Sequence, residues 1–159
     1  MLCHETLPLF NCSKEFLRKK MCILSYKLML HSSEAIDKLV PYVADRLQDP
    51  DTSVKIAAVT AIHKITTVNP RLFLITIPAL FELMVTTKSN WLLIKLVKLL
   101  TEMCKAEERL LSKLTAQFTD ILSKPKAKSV EVELLKAVFT TKLSQDPNLL
   151  QLARHTLLQ

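Results

Sequence analysis

The side chains able to do chemistry in this 159-residue chain are scattered rather than gathered. Its histidines, His4, His31, His63 and His155, form no H-x-x-x-H or H-E-x-x-H arrangement, so no helix turn is set to offer two imidazoles to one metal ion. Cys3, His4, Cys12 and Cys22 could supply metal ligands, but their spacing matches no structural zinc pattern. Cys104 stands far from them, there is no C-x-x-C pair, and the four thiols read as reduced, buried groups of a cytosolic protein. A nucleophile elbow, G-x-S-x-G, needs glycine and the chain has none. Glu107-Glu108 and Glu131 with Glu133 read as carboxylates in the first turns of helices, where they complement the helix dipole. These residues predict no enzyme, no cofactor and no metal.

The remaining candidates are cations. Lys and Arg number 22 against 15 Asp and Glu, a net charge of +7. Arg18, Lys19 and Lys20 are consecutive, and Lys124, Lys126 and Lys128 crowd one corner. Such clusters serve solubility, or they meet anionic headgroups. Nucleic acid is not expected, because bases want aromatic stacking partners and aromatic residues make up only 6% of the chain. Lys95 and Lys98 differ from the rest. They are the polar positions in WLLIKLVKLL and make a narrow seam on an otherwise apolar helix, paired with acids of adjacent repeats or facing a partner. Trp91, on the same helix, reads as core, with a hot spot for a partner as the alternative.

Absent glycine also constrains the scaffold. Ordinary proteins carry roughly 7% glycine, and tight hairpins and phosphate loops depend on it. Helices joined by corners capped with Asp, Asn and Ser do not. With 49% apolar residues the chain is expected to fold. Its longest apolar stretch, RLFLITIPALFELMV, is too short for a bilayer and is interrupted by Pro78 and Glu82. No targeting peptide is visible at Met1.

Helical periodicity is pervasive. Val54, Ala57, Ala58, Ala61, Ile62, Ile65 and Val68 fall on one stripe of a helix capped by Asp51 or Thr52. The segment before it, with Ile36, Leu39, Val40, Val43, Ala44 and Leu47, repeats the pattern, so the two form a hairpin across Asp49-Pro50-Asp51. Asn69-Pro70 is predicted to open a helix over 70–86, and Ser89 or Asn90 to cap the next. Further stripes run through Leu110 to Leu122 and from Val130, and Asp146-Pro147 begins a last helix. Near the amino end, Leu17, Met21, Leu24 and Leu28 align.

These helices recur. Leu17, Val54, Trp91 and Val130 open second-helix stripes at separations of 37, 37 and 39 residues, and Pro41 and Pro78 are again 37 apart. A two-helix unit of about 40 residues predicts an all-α, right-handed α–α superhelix of the HEAT or armadillo type. The chain holds four helix hairpins and part of a fifth. The recurring proline suggests a kink built into the first helix of each pair. Residues 1–159 read as a single domain whose ends are apolar rather than capped, which predicts a piece of a longer solenoid or one that docks end-on.

The ordered series is also distinctive. Arg18-Lys19-Lys20 and Tyr26-Lys27, then Asp49-Pro50-Asp51 with Val54 to Val59, then Asn69-Pro70, Pro78 to Met84, and Asn90 to Leu100 together resemble the trunk of the large adaptins. The likeness is good over about residues 10–124 and weak beyond. It implies a non-catalytic scaffold subunit of a vesicle-coat adaptor complex, partnered by a second large, a medium and a small chain. It also implies contact with an Arf-class GTPase and with anionic membrane, and a cytoplasmic, peripheral location on Golgi or endosomal membranes, sorting cargo toward lysosomes or vacuoles. Other HEAT scaffolds, of nuclear-transport, coatomer or phosphatase-regulator type, share the repeat but not the series around Trp91.

Overall fold

The computed structural model describes residues 7–124 and 127–158. Among the described residues there are eight α-helices and no strand. They are α1 (Glu15–His31), α2 (Ser33–Asp45), α3 (Thr52–Thr66), α4 (Ile77–Thr86), α5 (Asn90–Met103), α6 (Leu110–Leu122), α7 (Lys128–Thr140) and α8 (Pro147–Leu157). Helices α1, α3, α5 and α7 pack consecutively as one layer, and α2, α4, α6 and α8 back them as a second. This is the helix-pair array that the repeat predicts, and the core lies between the layers. The first pair is unequal: its leading member, among the described residues, is a 3-10 segment, Leu7–Asn11. Three full pairs follow, and α8 opens a fifth.

Four of the helix starts are set by side chains. The Asp51 carboxylate accepts from the backbone N–H of Ser53 and Val54 at 2.8 and 3.2 Å, capping α3. Ser89 Oγ accepts from Leu92 N–H to cap α5, Ser32 caps α2, and Asp146 caps α8 ahead of Pro147. Each fills orphan donors of a first turn. No described residue has a positive φ. The corners therefore make no use of the left-handed region that favours glycine, in keeping with a sequence that contains none.

Two predicted features change. The helix expected over 70–86 begins only at Ile77. Residues 70–73 form turns and Leu74–Thr76 a 3-10 segment, which together drive Phe73 wholly into the core. Pro78 consequently sits in the first turn of α4, where its missing N–H costs nothing. Among the described residues, only Pro41 lies in an α-helix beyond its first turn, on the exposed side of α2. The shared 37-residue spacing is thus a coincidence of position, not a repeated kink.

Trp91 changes as well. Its side chain is 59% exposed, whereas Leu92 beside it is buried like Val54 and Val130. The buried register is therefore Val54, Leu92, Val130, spaced 38 and 38 residues. Helix α5 lies between α3 and α7 with α4 against its back, and Leu92, Leu93, Leu96, Val97, Leu99 and Leu100 are buried on those sides. Its remaining open stripe is Trp91, Lys95, Lys98 and Glu102.

Candidate interaction surfaces

Arg18 does not belong to a surface. Its side chain is buried on α1 and bonds Asp49 through Nε and Nη2 at 2.8 and 3.0 Å. Its Nη1 donates to the carbonyls of Cys12 and Ser13. Arg46 joins from the other side, donating to Asp49 at 3.3 Å and to the Phe10 carbonyl at 2.9 Å. Asp49 is fully enclosed, so burial alone would raise its pKa. The bond from Arg18, the Asp51 N–H and both guanidinium charges outweigh that and hold it below the usual carboxylate range. This network fastens the amino-terminal segment and α1 to the corner between α2 and α3. It removes Arg18 from the candidate contact residues, because the side chain is buried and four of its five N–H donors are already committed.

Lys19 and Lys20 remain exposed. With Phe16, Ile23, Leu24 and Lys27 they form the open face of α1, the Lys20 ammonium 5.8 Å from the Phe16 ring centre. No ion pair neutralises Lys19, Lys20 or Lys27 among the described residues. The other basic corner is different: Lys124 pairs with Asp120 at 2.7 Å and Lys128 with Glu131 at 3.1 Å. Lys126 lies outside the described residues, as do Cys3 and His4.

The seam of Lys95 and Lys98 divides. Lys98 reaches Glu133 of α7 at 3.4 Å, an ion pair between neighbouring repeats. Lys95 instead places its ammonium 5.5 Å from the Trp91 ring centre, a cation–π contact. His63 on α3 faces the same stripe. Its partial burial pushes the imidazole pKa down, Glu102 pulls it up, and Lys64, Lys95 and Lys98 push it down further. Of the three cations that act on His63, Lys98 is paired with Glu133, and Lys64 and Lys95 have no ion-pair partner among the described residues.

The polar groups of one recess are already committed to partners within the fold. A recess of about 430 Å³ between the ends of α5 and α7 is lined by Thr101, Cys104, Lys105, Glu108, Thr141 and Lys142. Its charges are already paired, Lys142 with Glu108 and Lys105 with Glu102. Its threonine hydroxyls donate to carbonyls of their own helices. Burial pushes the Cys104 thiol up to about 12, which suppresses the nucleophilic thiolate. Glu107 and Glu108 precede α6 rather than entering its first turn, and Glu108 is held low by the Lys142 bond. No group of three or more His, Cys, Asp and Glu among the described residues could hold a metal, and no helix among them is long and apolar enough to cross a membrane.

A two-layer helical array with enclosed cores and open, charged helix faces is a binding scaffold. The chain belongs to the adaptin N-terminal region family, whose profile matches residues 1–159. It is 39% identical over 137 residues to the AP-3 complex subunit delta of Schizosaccharomyces pombe, covering 86% of this chain and 17% of that protein. It is 32% identical over 143 residues to the AP-3 complex subunit delta-1 of Bos taurus, covering 90% and 12%. A chain in a homology model of the full-length AP-3 complex, in an intermediate open conformation, superposes with a TM-score of 0.78 at 27% identity, over 95% of this chain and 30% of that one. The chain thus spans less than a fifth of the length of these curated relatives.

The cationic stripes are legible in the sequence, whereas the open apolar face of α1 and most of the Asp49 node are not. The node had one sequence signal: an aspartate at a Pro-flanked corner, followed two residues later by a second aspartate that supplies the cap.

Proposed function

We propose that this chain is a segment of the non-catalytic trunk of an AP-3-type adaptor subunit, a scaffold for vesicle-coat assembly in protein transport. The observation that carries this reading is an adaptin match over every residue of the chain, joined to a fold whose functional surfaces are open helix faces. In this reading residues 1–159 act as one solenoid unit within a larger trunk. Its partners are the second large, medium and small adaptor chains, with an Arf-class GTPase as a further partner. The work is cargo sorting from Golgi or endosomal membranes toward lysosomes or vacuoles, from the cytoplasmic side.

The exposed lysines have a place in the same reading. Lys19 and Lys20, without ion-pair partners among the described residues, are better suited to anionic headgroups than Lys124 and Lys128, whose local carboxylates compete; Lys126 belongs to that second cluster. Each uncompensated lysine near such a surface contributes about 1 kcal/mol. Affinity purification of the chain from its source cells tests the reading: other adaptor subunits are expected in the eluate, and their absence overturns it. Flotation with vesicles containing anionic lipid tests the membrane contact separately, since Lys19→Glu with Lys20→Glu should abolish it and Lys124→Glu should change it little.

A further inference from the structure

Helix α5 is buried on the sides facing α3, α4 and α7, yet it opens its one exposed stripe with the chain's single tryptophan. The indole is 59% exposed, so a partner that covers it gains the burial of that apolar area. Tryptophan is also the residue most enriched among those that dominate binding at interfaces. One face of the indole is already occupied by the Lys95 ammonium. That ammonium has no carboxylate partner among the described residues, while its neighbour Lys98 has Glu133. Lys95 is thus the cation of this stripe left without a carboxylate partner among the described residues.

We propose that Trp91 and Lys95 form an anchor for another adaptor subunit, one that presents a carboxylate beside an apolar side chain. The carboxylate pairs with Lys95, and the apolar group covers the exposed part of the indole. The contact desolvates an ammonium that already rests on a ring face, where attraction to charge and aromatic packing reinforce each other. Lys98 and Glu133 compensate one another and serve as rim. This inference rests on the scaffold reading, and it names the residues that would hold the partner and the chemistry they select.

The test is co-expression of the chain with the other subunits of the adaptor complex from the same source. Zero-length carbodiimide cross-linking and hydroxyl-radical footprinting of Trp91 follow on the purified assembly. The expected result is an amide link from Lys95 to an Asp or Glu of another subunit, with the indole protected relative to the isolated chain. Trp91→Ala and Lys95→Glu should each weaken assembly at least about tenfold, and Lys95→Arg should retain it. Circular dichroism of each variant must match the parent, which surface positions allow. If the parent chain recruits no subunit, the scaffold reading and this inference both fall. If it assembles while Trp91 stays accessible and both variants assemble normally, only the anchor falls. Protection of Trp91 by anionic vesicles without any subunit also overturns the anchor.

Discussion

Arg18 and Asp49, 31 residues apart in sequence, form a bidentate pair in which two guanidinium nitrogens meet two carboxylate oxygens at 2.8 and 3.0 Å. The pair joins the first described repeat to the second, and Arg46 doubles it from the corner before α3. Breaking one partner of an enclosed pair strands the other charge, whereas replacing both by apolar groups of similar size is far less damaging. Asp49→Asn is therefore expected to lower the thermal midpoint more than any exposed substitution such as Lys124→Gln. Arg18→Met combined with Asp49→Leu should recover much of that loss. A double variant less stable than the sum of its parts, measured by thermal melting, would contradict the pairing.

The same pair fixes an acid limb. Asp49 is held below its ordinary pKa in the folded chain, so its contribution to stability is complete above the unfolded aspartate value and declines as pH falls toward the lower folded one. The stability gap between the parent chain and Asp49→Asn should be constant near neutrality and shrink as pH drops below about 4. Urea midpoints across that range provide the check, and a gap that widened with acid would refute the assignment.

Asp51 makes a separate contribution at the start of α3. It accepts from two backbone N–H groups and from Ser53 Oγ. Those bonds, the Ser53 hydroxyl's foremost, hold its carboxyl below the usual range. Asp51→Ala should cost about 1 kcal/mol and Asp51→Asn clearly less, since asparagine caps nearly as well. Equal losses in the two variants would show that the charge matters more than the cap.

Cys22 and Cys104 are buried, and desolvation pushes both thiols up to about 12. Near pH 8 neither is expected to react with iodoacetamide until the chain unfolds, because the thiolate is the reactive species. Mass mapping of alkylation with and without urea tests this. Native-state labelling of either cysteine as fast as in urea would mean that its helix opens readily.

How far the fold could be read in the sequence follows from what each signal measures. Periodic burial reports packing against neighbours, so the stripe from Val54 to Ile65 located α3, and Asp51 located its start. Periodicity cannot distinguish Trp91 from Leu92 at the first turn of α5, since both are large and apolar and stand one residue apart. Only the approach of α3 and α7 decides which is covered. Pro78 misled for a related reason: proline suits a first turn as well as a kink, and the burial of Phe73 moved the helix start. Arg18 looked like its neighbours Lys19 and Lys20 because the residue that claims it comes 31 positions later and meets it only once α1 packs on the α2–α3 corner. Lys98 was legible as a seam residue awaiting an acid, and Glu133 of the next repeat supplies one.

The one-residue correction at α5 has a sharp consequence. Leu92 is enclosed between helices, so Leu92→Ala should cost about 2–5 kcal/mol through lost burial and the cavity left behind. That is a large part of the roughly 5–15 kcal/mol that holds a domain together, and the variant should melt far below the parent. Trp91 is largely exposed and meets the Lys95 ammonium, and an exposed cation–π contact is worth only about 0.5–1 kcal/mol. Trp91→Ala should therefore leave the melting curve of the isolated chain nearly unchanged. If the tryptophan variant proved the less stable of the two, the indole would have to lie inside the core, in the 37-residue register that the apolar pattern first suggests. The reverse order fixes the buried register at 38 and leaves the indole free to act on a partner.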